Sequence, residues 1–118
     1  KIKKNFSNSK VLIIGVAYKK NVNDLRESPA IKIIKELISR GSKVFYHDNF
    51  IKNLSIRSKK KNIKIKSIKI EKNNLSNYDL VCIVTDHDYI NYNLIKTFSK
   101  IIVDCRGKYK NKQNILKA

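Results

Sequence analysis

The run from Val11 to Ile14, apolar at every position and mostly β-branched, ends at Gly15 and constrains this chain more than any other feature. A strand apolar on every residue is one buried on both faces, as in a parallel sheet covered by helices, and Gly15 lets the backbone leave it sharply. Ser28 then offers an N-cap oxygen, with Pro29 at the first helical position where its missing N–H costs nothing. The connection from Val16 to Glu27 exceeds the roughly two to six residues usual between a strand and a helix. It carries Tyr18, Lys19, Lys20, Asp24, Arg26 and Glu27. In open α/β sheets ligands bind beyond the carboxyl ends of the strands, so a loop of this length and charge reads as a ligand loop.

Beyond Pro29 the apolar residues Ala30, Ile31, Ile34, Leu37 and Ile38 recur at helical spacing up to Gly41. Each of these that is fully buried contributes about 1.5–3 kcal/mol, so Ile34→Asp is expected to unfold the domain. Lys43 to His47 reads as a second strand, ended by Asp48 and Asn49, and Phe50 to Asn62 as an irregular basic connection. Ile63 and Ile65 alternate with lysines, as do Ile68 and Ile70 after a one-residue phase slip at Ser67, which suggests an edge strand. A short helix is expected over Asn74–Tyr78, a strand over Leu80–Val84, a helix over Tyr92–Phe98 and a strand over Ile101–Val103. Strands alternating with helices predict a single Rossmann-like, doubly wound α/β domain with a mainly parallel sheet over residues 10–107. Residues 1–9 read as a linker from upstream domains, and residues 108–118 as a polar, frayed tail.

A length of 118 residues suits one core and no second folded unit. The chain opens on Lys1 without a leader-like segment and so reads as a piece of a longer protein. No apolar run approaches bilayer length, and a cytoplasmic protein without a membrane anchor is expected. The net charge of +18, from 27 basic and 9 acidic residues, is compatible with nucleic acid, an anionic surface or a phosphorylated ligand. Its lysines, however, are scattered among many Ile and Asn residues, the signature of an A/T-rich coding sequence, and Lys59–Lys61 reads as a solvated loop. Nucleic acid is therefore not the expected partner, although a basic polyanion-binding α/β domain without enzymatic activity is the alternative reading. Cys82 and Cys105 lie in apolar runs without a CxxC pair and are expected to be buried, reduced thiols.

Lys19, Arg26, Thr85, Asp86 and Arg106 all fall at or just past strand carboxyl ends, along one rim. A pyrophosphate suits Lys19 and Arg106, since charge-assisted hydrogen bonds contribute about 1.5–3 kcal/mol each and arginine binds phosphate in a forked manner. From spacing alone, pairing of Arg26 and Arg106 with Asp24, Glu27 or Asp104 stands slightly ahead of ligand binding. Gly15 is the only glycine near the first strand, so the GxGxxG needed to hold a dinucleotide is missing. His47 and His87 lack metal-ligand spacing with the cysteines, and His47 reads as a strand residue whose ring reaches solvent. Thr85-Asp86-His87 reads as turn and cap chemistry. No catalytic set and no metal site is expected.

The blocks GVAYKKNVNDLRESPAIKII, VFYHD, LVCIVTDHDYINY and IIVDCRG, in that order, resemble the C-terminal UDP-binding domain of the UDP-glucose/GDP-mannose dehydrogenase superfamily. The resemblance spans about Lys10 to Gly107, and TDHD followed by Asn91-Tyr92 is most like the branch acting on UDP-N-acetylhexosamines. It implies an NAD-dependent 6-dehydrogenase that oxidises the sugar C6 alcohol to a carboxylate for polysaccharide precursor synthesis. Such an enzyme has an NAD-binding N-terminal domain and a central segment carrying the cysteine nucleophile, and is a homodimer or larger. Those parts lie outside this sequence, so the domain alone is expected to be inactive. Position by position, the resemblance implies substrate contacts from Tyr18, Lys19 and Arg106, and a contact to NAD from Arg26. Cys105 departs from the family, which often has Gly or Thr there, and neither cysteine matches the nucleophile motif.

Overall fold

A computed structural model describes residues 8–21, 28–58, 61–109 and 115–117. The elements run β1 (Lys10–Ile14), α1 (Pro29–Ser39), β2 (Lys43–His47), β3 (Asn53–Ser58), β4 (Lys61–Lys66), α2 (Lys72–Leu75), β5 (Leu80–Ile83), α3 (Tyr92–Phe98), β6 (Ile102–Asp104) and β7 (Ile115–Lys117). Five strands form one parallel sheet in the order β2-β1-β5-β6-β7. This is the doubly wound α/β architecture expected from the strand and helix pattern.

The central strand β1 shows why its sequence is apolar throughout. Val11 and Ile13 pack with Ala30, Ile34 and Leu37 of α1, whereas Leu12 and Ile14 pack on the other face with Leu75 of α2 and Ile95 of α3. With a helix on each face, a period of two leaves no residue facing water. Helix α1 starts where Ser28 and Pro29 dictate: the Ser28 hydroxyl accepts from the Ala30 N–H at 3.2 Å. Ile34 is fully buried, as its place on the helical stripe requires.

The second helix is shifted from the expected Asn74–Tyr78 to Lys72–Leu75, its start set by the Glu71 N–H donating to Asn74 Oδ1 at 3.1 Å. Three further segments differ from the sequence reading. Residues 53–58 and 61–66 pair as antiparallel strands, with Leu54 opposite Ile65 and Ile56 opposite Ile63, so the irregular connection and the single edge strand are replaced by β3 and β4. Lys61 opens β4, and Lys59 and Lys60 lie outside the described residues. Leu54 and Ile56 join the α1-side core, and the lysines of β4 point away from it. The phase slip at Ser67 marks where the chain changes sheets: Ser67 bridges Tyr46 in parallel, and the Ile68 N–H donates to the Tyr46 carbonyl at 2.9 Å. Second, residues 115–117 are no frayed tail but a strand paired with β6, with Ile115 buried. Third, Cys82 is buried but Cys105 is exposed, because β6 ends at Asp104 and the thiol lies on the bend beyond.

Candidate functional site

Four connections leave the carboxyl ends of the sheet side by side, after β1, β2, β5 and β6. The first turn is set by Gly15, whose φ is +82° and where a Cβ would stand 2.1 Å from the Thr85 carbonyl oxygen. Only glycine lets β1 and the segment after β5 approach this closely.

Asp48, at the end of β2 and fully buried, organises the next connection. Its Oδ2 accepts from the Val16 N–H at 2.8 Å, the Ala17 N–H at 3.1 Å and His87 Nε2 at 2.8 Å. Its Oδ1 accepts from the Phe50 N–H at 2.8 Å and the Ile51 N–H at 3.3 Å. A buried carboxylate surrounded by this many donors is compensated for its lost hydration. His87 is equally buried, and its Nδ1 accepts from the Asn21 N–H at 2.6 Å. A backbone N–H only donates, so the proton of the His87 ring sits on Nε2 and is given to Asp48.

The loop from Val16 to Asn21 is thus held at both ends. Ser28 Oγ donates to the Val16 carbonyl at 2.6 Å and Thr85 Oγ1 to the Ala17 carbonyl at 2.7 Å. Asn21, at φ +62°, exchanges hydrogen bonds with Asp88 through its side-chain amide, at 2.7 and 3.0 Å. The Asn21 amide and then Lys20, 3.7 Å away, hold the Asp88 carboxyl below its ordinary pKa. Between these anchors Tyr18 and Lys19 are exposed, with Tyr18 at 46% of its free surface.

Arg106 follows β6 on the same rim. Its Nε–H donates to the Val84 carbonyl at 2.8 Å and its backbone N–H to Asp104 Oδ1 at 3.1 Å. Nε lies 4.0 Å from Asp86, which also has Lys108 at 3.6 Å. Arg106 is therefore only loosely ion-paired, and to Asp86 rather than through its guanidinium to Asp104. Tyr92 couples the two loops: its hydroxyl donates to the His87 carbonyl at 2.8 Å, and its own carbonyl accepts from Tyr109 at 2.6 Å. Burial pushes both tyrosine hydroxyls above their ordinary pKa.

Of the residues singled out from sequence, Tyr18 and Lys19 thus lie in the connection after β1 and Arg106 in the one after β6, at the carboxyl end of one sheet with β5 between those two strands. Arg26, Asp24 and Glu27 lie outside the described residues. His47 is not solvated: its Nδ1 meets the Ile68 carbonyl at 2.5 Å and its Nε2 the Tyr89 hydroxyl at 2.9 Å, both from chain segments that cover β2. Burial lowers its pKa. Asp48 and His87 are the residues that sequence reasoning missed, having read them as a strand stop and a turn. The available signal was a carboxylate ending one parallel strand and a histidine just past another, positions that one sheet edge brings together. Among the described residues, no group of three or more His, Cys, Asp or Glu could hold a metal ion.

The chain matches the model of the UDP-glucose/GDP-mannose dehydrogenase family, UDP binding domain, over residues 12–111. It is 32% identical over 106 residues to UDP-N-acetyl-D-mannosamine dehydrogenase of Methanocaldococcus jannaschii, covering 83% of this chain and 22% of that protein. Among solved structures it resembles UDP-D-ManNAc dehydrogenase of Pyrococcus horikoshii (TM-score 0.70, 21% identity, 96% of this chain and 26% of that one). It also resembles NDP-N-acetyl-D-galactosaminuronic acid dehydrogenase of Methanosarcina mazei Go1 (TM-score 0.72, 19% identity, 98% and 25%). At such identities the structural likeness establishes the fold. The chain spans about a quarter of the length of these relatives.

Proposed function

The chain belongs to the UDP-glucose/GDP-mannose dehydrogenase family as its UDP-binding domain, and from that membership we propose that Tyr18, Lys19 and Arg106 hold a UDP-sugar. Lys19 and Arg106 neutralise the diphosphate and Tyr18 lies along the nucleotide. The observation that carries this reading is the clamped loop from Val16 to Asn21, which fixes its backbone on buried Asp48 and His87 and leaves Tyr18 and Lys19 exposed. An exposed pair on a rigid support loses little conformational freedom on binding.

The whole enzyme, on this reading, is an NAD-dependent UDP-sugar 6-dehydrogenase, oxidising the sugar C6 alcohol to a carboxylate for polysaccharide precursors, cytoplasmic and homodimeric or larger. A UDP-N-acetylhexosamine is the substrate class favoured by the M. jannaschii relative. The nicotinamide cofactor does not fit the glycine turn of this domain: the Val16 and Ala17 amides that follow β1 are donated to Asp48 instead of facing a pyrophosphate. NAD is therefore assigned to another domain, with Arg26 reaching it, and this domain alone supplies no catalytic group.

Titration calorimetry of the 118-residue chain with UDP at low salt tests the site. Lys19→Ala and Arg106→Ala should each weaken binding about tenfold or more, the loss expected for one charge-assisted contact. UDP-induced amide shifts confined to the opposite end of the sheet, with both variants binding as the parent does, would overturn the assignment.

A further inference from the structure

The two cysteines, unused by the site described above, lie on neighbouring parts of the sheet, Cys82 on β5 and Cys105 just past β6. Cys82 on β5 pairs in register with Val103 of β6, and both belong to the core on the α1 face. Cys105 lies two residues past Val103, and its N–H donates to the Ile83 carbonyl at 3.1 Å. With a period of two, this sets Cys105 diagonally across from Cys82 on the neighbouring strand, close enough for each thiol to shift the titration of the other. One sulfur is buried and the other exposed. The exposed one directly precedes Arg106.

We propose that Cys105 and Cys82 are a peroxide-sensitive thiol pair, Cys105 the attacking sulfur and Cys82 the resolving one, whose disulfide pulls Arg106 out of its place against Val84. The neighbouring Cys82 thiol, with a smaller push from Arg106, outweighs burial and the Asp104 carboxylate and holds the Cys105 thiol down to about 7, so that a large share of it is thiolate at neutral pH. The proximity of Cys105, together with burial, pushes Cys82 up and keeps it protonated until it is needed. In the first step the Cys105 thiolate attacks hydrogen peroxide: an S–O bond forms, the O–O bond breaks, and hydroxide leaves to be protonated as water. The Cys82 sulfur then attacks Cys105, the S–S bond forms, the S–O bond breaks, and the second oxygen departs as water with the Cys82 proton. Two electrons pass from the thiols to the peroxide.

Closure requires the Cα atoms to come within about 7 Å, near the lower limit of a diagonal pair, so the backbone of Cys105 moves inward. That movement is available. β6 ends at Asp104, and Gly107, at φ +70°, has open space around it. A bond made under such constraint is readily reduced, which makes the modification reversible. Arg106 moves with its neighbour and loses its hold on the Val84 carbonyl. Only this last consequence depends on the proposed role of Arg106 in binding UDP.

The test uses the reduced 118-residue chain, treated with hydrogen peroxide and analysed by peptide mass spectrometry. The expected product is an intramolecular Cys82–Cys105 link, two hydrogens lighter than the reduced chain and fully reversed by dithiothreitol. In Cys82→Ser, dimedone should trap a sulfenic acid at Cys105. In Cys105→Ser, Cys82 should react at least tenfold more slowly than Cys105 does in the parent. An unlinked sulfinic acid at Cys105 in the parent chain, or equal reactivity of the two cysteines, overturns the pair. UDP binding is then compared before and after oxidation, with a tenfold or greater loss expected. A linked chain that binds UDP unchanged overturns the coupling to Arg106, whereas a reduced chain that fails to bind UDP at all overturns the binding reading and leaves the disulfide result standing.

Discussion

Two loops on the same rim carry the proposed phosphate-binding cations, and they are built in opposite ways. The loop after β1 is anchored from below by buried polar groups: Asp48 and His87 take its amides, and Ser28 and Thr85 take its carbonyls. The loop after β6 rests on the backbone amide of Arg106 at Asp104, the Tyr109 amide at the same carboxylate, and a guanidinium contact at the surface. One is a fixed platform and the other an arm whose head can leave its resting place at small cost. A diphosphate site profits from both, since a rigid side sets orientation while a mobile cation closes over the ligand once it has arrived.

Substitutions should separate the two loops sharply. Asp48→Ala strands the buried Val16 and Ala17 N–H groups and the His87 ring and also takes an acceptor from the Phe50 N–H, and should cost about 3–5 kcal/mol by urea unfolding. If it costs no more than Arg106→Ala, expected below about 1 kcal/mol because that side chain is half exposed, the contrast between platform and arm is wrong. Gly15→Ala should follow at about 2–4 kcal/mol, the sum of a left-handed backbone and the collision with Thr85, measured in the same way.

The smallest effect expected is a pH dependence set by His47. Burial holds its folded-state pKa below the ordinary 6.5, so the unfolded chain binds its proton first on acidification. Its contribution to stability is therefore present above pH 6.5 and is lost as the pH falls through the interval down to the folded-state value. Thermal unfolding between pH 7.5 and 5 should show the melting temperature falling over that interval, and His47→Gln should flatten the slope. An unchanged slope in His47→Gln would show that His47 is not the group responsible.

Much of this was legible because the relevant signals are local. Ser28-Pro29 and the Ile34 stripe located α1, the apolar runs located β1 and β5, and Tyr92 to Phe98 was readable as α3 to the residue. The hairpin was not legible, because strands β3 and β4 present half their residues to water and lysine alternation looks the same in an edge strand as in a hairpin. Nor was β7, whose short pairing depends on the edge that β6 offers. Tyr18, Lys19 and Arg106 were visible as charged or aromatic residues at strand ends. Asp48 and His87 looked like punctuation, since nothing next to them in the chain is their partner.

Composition and periodicity by themselves determined a doubly wound parallel sheet and the face each helix buries, because hydrophobic burial acts on residues a few positions apart. Only the tertiary structure decided what Asp48, His87 and Cys105 meet. The bonds of Asp48 and His87 join residues 31, 39 and 66 positions apart, and Cys105 comes beside Cys82 only through the pairing of β5 with β6. Hydrogen bonds depend on distance and angle, and those exist only once the sheet has brought its carboxyl ends to one edge.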